Sequence, residues 1–122
     1  MDLNEEADRF TEEVLNIVLD EIDDIIMIHD SEHTVVWMNR AGMRAFSRGL
    51  DEVIGDRCYH LFGRECSCDD CQVSSLVGGK KAHSVRVIPG TGERFRCIST
   101  PVMKDGQVKL VVQHLKKMDA SE

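Results

Sequence analysis

The sequence predicts an α+β domain: one five-stranded antiparallel sheet with short helices against one face. Three observations predict it. The apolar pattern runs helix, two strands, a helical middle and three strands, so strands gather at both ends of a helical centre. Two turn signals, Pro89-Gly90-Thr91-Gly92 and Lys104-Asp105-Gly106, cut the last third into strands that can fold back on one another. The 122 residues suit a single domain, and a hydrophobic content of 42% is enough to fill its core.

Taken in order, residues 1–22 read as an amphipathic helix. Leu3, Ala7, Phe10, Val14 and Ile17 recur every three or four residues, while Glu5, Glu6, Asp8, Glu12 and Glu13 take the other faces. So narrow a seam packs on its own domain or on a second copy of the helix, and its acidity favours the second. Ile25-Ile26-Met27-Ile28 is a β-branched run and reads as a strand. Asp30-Ser31-Glu32-His33 turns into a second strand, Thr34–Met38. Asn39 caps a helix, Arg40–Arg48, which Gly49 stops. Val53-Ile54-Gly55 leads into a short helix, Cys58–Phe62, and Gln72–Val77 forms another that Gly78-Gly79 ends. Strands Ser84–Ile88, Arg94–Thr100 and Val108–Leu115 complete the sheet. Trp37 and Met27, Met38, Met43 and Met103 are expected in the core.

Charge narrows the function classes. Fifteen Lys and Arg against 22 Asp and Glu leave a net charge of −7, which disfavours a nucleic-acid face. Residues 1–32 hold 12 acidic side chains and one base, Arg9, so an acidic arm precedes a nearly balanced body. No apolar run reaches the roughly 18 residues of a membrane span. The acidic start lacks the pattern of a signal peptide, so a cytoplasmic location and no membrane contact are expected. No phosphate loop or nucleophile signature is present, and no enzymatic activity is expected.

Several stretches together resemble a PAS domain, a sensory module of histidine kinases, regulators and chemoreceptors. They are Ile25-Ile26-Met27-Ile28-His29-Asp30, Val35-Val36-Trp37-Met38-Asn39-Arg40-Ala41-Gly42, Glu52-Val53-Ile54-Gly55, Thr100-Pro101-Val102 and Met118-Asp119-Ala120-Ser121. The resemblance implies a PAS-like sensor domain over residues 23–119, behind the 1–22 helix as linker or dimerisation element. It also implies an effector such as a histidine kinase or regulator, while the seam of the 1–22 helix leads us to expect a homodimer through that helix. Cys58-Tyr59-His60-Leu61-Phe62 followed by Cys68-Asp69-Asp70-Cys71 is similar to a cysteine-rich PAS subgroup, with Cys66 an addition to its pattern. Flavin-binding light-oxygen-voltage domains carry amide side chains around this cysteine that Gly55–Phe62 lacks, so no flavin is expected. The axial histidine of haem-binding PAS domains has no counterpart in Gln72–Lys81, so no haem is expected either.

Four of the five cysteines, Cys58, Cys66, Cys68 and Cys71, fall within fourteen residues. Thiolates are soft ligands that suit iron–sulfur clusters or zinc, and Ser67, Asp69 and Asp70 tolerate the turns that bring them to one centre. A bound cation would also offset the repulsion between thiolates and the neighbouring carboxylates. The expected function is therefore sensing of redox state, oxygen or metal at a centre ligated by these four. A metal-free thiol/disulfide switch, a structural zinc in a ligand-binding or interaction module, and cysteines that are simply buried stay open beside it. Cys97 shares a strand face with Phe95 and Ser99, reads first as a core residue, and is the alternative fourth ligand. His60 lies two residues from Cys58 and faces away, and His29, His33, His83 and His114 read as surface residues.

Overall fold

A computed structural model describes residues 3–64 and 81–119. Cys66, Cys68, Cys71 and the helix expected over Gln72–Val77 lie outside the described residues. The elements are α1 (Leu3–Glu21), β1 (Ile25–Asp30), β2 (Val35–Met38), α2 (Arg40–Phe46), α3 (Leu50–Val53), α4 (Cys58–Leu61), β3 (Ala82–Val87), β4 (Arg94–Lys104) and β5 (Gln107–Lys117). The five strands form one antiparallel sheet, as the sequence predicts, and their order is β2-β1-β5-β4-β3.

Local chemistry sets each joint. Asp30 accepts the backbone N–H of Glu32 and of Thr34, both at 2.9 Å, which closes the β1–β2 turn. His33 there takes a left-handed φ of 69°. At the β4–β5 hairpin Asp105 and Gly106 have φ of 53° and 76°, the two positive angles of the turn that matches strand twist. Beyond Ser99, β4 has no partner on its β3 side among the described residues, and Pro101 is tolerated there inside a strand longer than the sequence suggests.

Asn39 does more than cap α2. Its side-chain oxygen accepts the N–H groups of Gly42 and Ile26, and its amide donates to the carbonyls of Leu19 and Asp24. One buried side chain thus ties the end of α1, the start of β1 and the start of α2 together. Gly42 lets α2 lie close to β2, because a Cβ there would sit 2.4 Å from Met38 Cγ. Gly49 does not stop α2. Ser47 does so two residues earlier with a left-handed φ of 54°, and Gly49 instead precedes α3, its N–H donating to Glu52.

Met27, Val35, Met38, Val53, Cys58 and Leu61 make one apolar cluster beneath α2, α3 and α4. Ile25, Ile88, Phe95, Cys97 and Leu115 make a second, and Phe46 and Phe62, edge-to-face with each other, pack against both. Two expected core residues lie elsewhere. Met103 is exposed near the β4–β5 turn, and half-buried Trp37 pairs with Ile28 and lines a groove of about 320 Å³ along α1. Strand alternation turns Trp37 from the cluster that holds Met27 and Met38, whereas Met103 follows a register shift between Val102 and Met103 at the tip of the β4–β5 hairpin.

Candidate functional site

Cys58 opens α4 and is 6% exposed. The chain before it is laid along β2: Val35 donates to the Asp56 carbonyl, Gly55 to the Val35 carbonyl, and Cys58 to the His33 carbonyl at 2.8 Å. Thr34 and Arg57 form an isolated antiparallel bridge beside them. The Arg57 guanidinium donates to the Glu32 carbonyl and the Thr34 hydroxyl. These bonds bring the Cys58 thiol within 3.6 Å of His33 Nδ1.

His29 stands beside this pair. It is fully buried, where the sequence reading places it on the surface, and its ring stacks on that of half-buried His33 at 5.4 Å. The physical reason is alternation: Ile25, Met27 and His29 share one side of β1, and the first two are core residues. One ligand atom from each of His29, His33 and Cys58 lies within 4.8 Å of the other two. Alternation along β1 was the signal for His29, and the Asp30-led turn for His33.

Burial lowers the pKa of His29, and burial likewise lowers that of His33. Both rings are therefore neutral at neutral pH. His29 Nδ1 donates to the Asp30 carbonyl at 2.7 Å, and its Nε2 accepts from the Gln113 amide at 2.8 Å. Gln113 Oε1 in turn accepts from the Ser99 hydroxyl at 2.6 Å and from the Cys97 thiol at 2.8 Å. Cys97 is buried on the face of Phe95 and Ser99, as expected. A polar chain thus crosses β1, β5 and β4 inside the apolar core. Cys58 and Cys97 both line a small cavity of about 10 Å³ against Met27, Phe62, Gln113 and Leu115.

The remaining histidines are outward. His60 is exposed and pairs with Asp56, whose pKa that hydrogen bond lowers. His114 Nε2 lies 2.8 Å from Asp24 and His83 is exposed. Among the described residues, no helix is long and apolar enough to cross a membrane.

No family model matches the sequence, and no curated protein matches it. Solved structures do match in shape. The PAS domain of nitrogen regulation protein NR(II) from Vibrio parahaemolyticus aligns with a TM-score of 0.71 at 14% identity, over 86% of this chain and 98% of that one. A PAS domain from a two-component sensor histidine kinase gives 0.70 at 5% identity, over 91% and 99%. An RNA-binding light-oxygen-voltage receptor gives 0.71 at 16% identity, over 87% of this chain and 32% of that receptor.

Proposed function

From the PAS fold we propose that this chain is a sensor module of signal transduction. It reads redox state, oxygen or a metal at a cysteine-ligated centre. The observation that carries the reading is Cys58, a buried thiol packed in the cluster of Met27, Val35 and Leu61. A change at that sulfur acts on β1, β2 and α4 together. In the proposed centre Cys58 joins Cys66, Cys68 and Cys71, with Cys97 as the alternative fourth ligand. An iron–sulfur cluster is the favoured occupant and zinc the alternative; the cluster supplies one-electron redox chemistry when bound. The Cys58 N–H, held by the His33 carbonyl, anchors the helix that carries the thiol. Were such a centre bound, its loss or oxidation would release the helix that carries Cys58 to a second packing, with β5 or α1 as the way out. An effector such as a histidine kinase or regulator fits this role, in keeping with the two-component kinase and nitrogen regulation domains of similar shape.

The positions where a flavin-binding stretch carries amides are taken up structurally. Arg57 holds the Glu32 carbonyl, and Phe62 packs against Phe46. That supports a chain without flavin. A thiol/disulfide switch is the second reading, favoured by Cys58 and Cys97 facing one cavity.

Metal and acid-labile sulfide analysis of protein purified without air tests the proposal. Iron with sulfide, and a broad absorption band near roughly 400 nm, is the expected result. Zinc alone moves the centre to a structural staple. Protein without metal, whose signalling survives C68S/C71S, overturns the reading.

A further inference from the structure

We propose that His29, His33 and Cys58 form a mononuclear site for a zinc-class divalent cation. The site shares Cys58 with the thiolate centre proposed above and uses none of the loop cysteines, so the two readings fail separately.

Distances carry the inference. A tetrahedral zinc with Zn–N of about 2.05 Å and Zn–S of about 2.3 Å spaces its nitrogen and sulfur ligands about 3.5 Å apart. His33 Nδ1 and Cys58 Sγ are 3.6 Å apart, which is that tetrahedral edge. The third ligand atom, on His29, lies within 4.8 Å of both, so a shift of about an ångström closes the set around an ion.

The donor chemistry selects the ion. Two imidazoles and one thiolate, with no carboxylate in the set, suit zinc and its neighbours and disfavour magnesium or calcium. The cation binds the sulfur as thiolate, so the Cys58 thiol proton leaves to solvent as the metal–sulfur bond forms. Three protein ligands leave a fourth position for water or an exogenous donor. His33, half-buried, gives the ion its way in.

The surroundings orient the ligands. His29 Nδ1–H is held by the Asp30 carbonyl, the outer-shell bond that fixes a metal-binding histidine and leaves Nε2, which faces the Gln113 amide, as its lone-pair nitrogen. His33 is pinned by the Asp30-led turn, and Cys58 by its N–H on the His33 carbonyl. Two features oppose binding. The Gln113 amide now occupies His29 Nε2 and must release it, and the Arg57 charge lies near His33. Release would free Gln113, which also holds Cys97 and Ser99, so occupancy is felt on β4 and β5.

Cobalt(II) titration of the full chain tests the site, because a thiolate-to-cobalt charge-transfer band reports sulfur ligation directly. The C66S/C68S/C71S chain should bind one cobalt with that band. His33→Asn, which keeps a residue at ease in a left-handed turn, should weaken binding in that background by about tenfold or more. Cys58→Ser should abolish the band. Zinc should raise the thermal midpoint of the triple variant and raise that of its His33→Asn derivative by less at the same zinc concentration, which separates loss of a ligand from loss of fold. No cobalt in the triple variant while the unaltered chain binds it would overturn this site and leave the loop-cysteine centre standing. Unchanged affinity after His33→Asn would overturn it as well. One cobalt in the triple variant, with no iron or sulfide in the protein as purified, would uphold this site and overturn the cluster.

Discussion

His29 satisfies both of its hydrogen bonds in only one protonation state. Nδ1–H faces the Asp30 carbonyl, and Nε2 must be an acceptor to meet the Gln113 amide. A second proton would set N–H against N–H in a fully buried place. Its folded pKa lies below the ordinary 6.5, so on acidification the unfolded chain takes up the proton first. The stabilising contribution is complete above about pH 6.5 and is lost as pH falls toward the lowered folded value. His33 has the same sign. Chelator-treated protein should therefore lose stability as pH falls below about 6.5, and His29→Gln should flatten that slope in urea titrations at several pH values. An equal slope in the variant would remove His29 as the cause. The sequence held half of this. Cys97 was legible as a core residue because Phe95 and Ser99 share its strand face, and the same alternation applied to Ile25 and Met27 would have put His29 inside. A histidine's polarity hid it, since the partner that makes its burial tolerable, Gln113, is 84 residues away.

At the scale of elements, the joint at Asn39 matters most. Replacing it with Ala leaves the N–H groups of Ile26 and Gly42 and the carbonyls of Leu19 and Asp24 without that partner inside the fold. The expected cost is about 2–4 kcal/mol, the sum of a lost cap and orphaned backbone groups. Chemical denaturation measures it; a cost near zero would mean that water replaces the side chain freely. The cap on α2 was legible from Asn39 ahead of an apolar pattern. Its second hold, on α1, was not, because those carbonyls belong to a distant stretch of chain. Helix α3 was missed for a different reason: four residues are too few for a periodic signal, and Gly49 reads equally as a stop or a start. The sheet was read correctly because each of its last two turns carries glycines at left-handed angles: Gly90, Gly92 and Gly106.

For the whole molecule, the open question of the sequence was where the seam of α1 packs. Phe10 and Ile17 are 68% and 63% exposed, so this body does not cover them. A second copy is our proposed cover, and F10K/V14K should shift the mass in solution from dimer to monomer by light scattering. A monomeric unaltered chain would remove the dimer from the reading. The sheet order also sets how the module sits in a longer chain. β1 and β5 are the neighbouring central strands, and Ile25 lies opposite Leu115. Chain entering at Ile25 and chain leaving near Lys117 therefore run side by side, about 5 Å apart at the sheet. The domain hangs from its flanks as a pendant rather than separating them as a rod. Its flanking segments stay within reach of each other whatever the interior does, and it is their relative twist, not their spacing, that the interior can change.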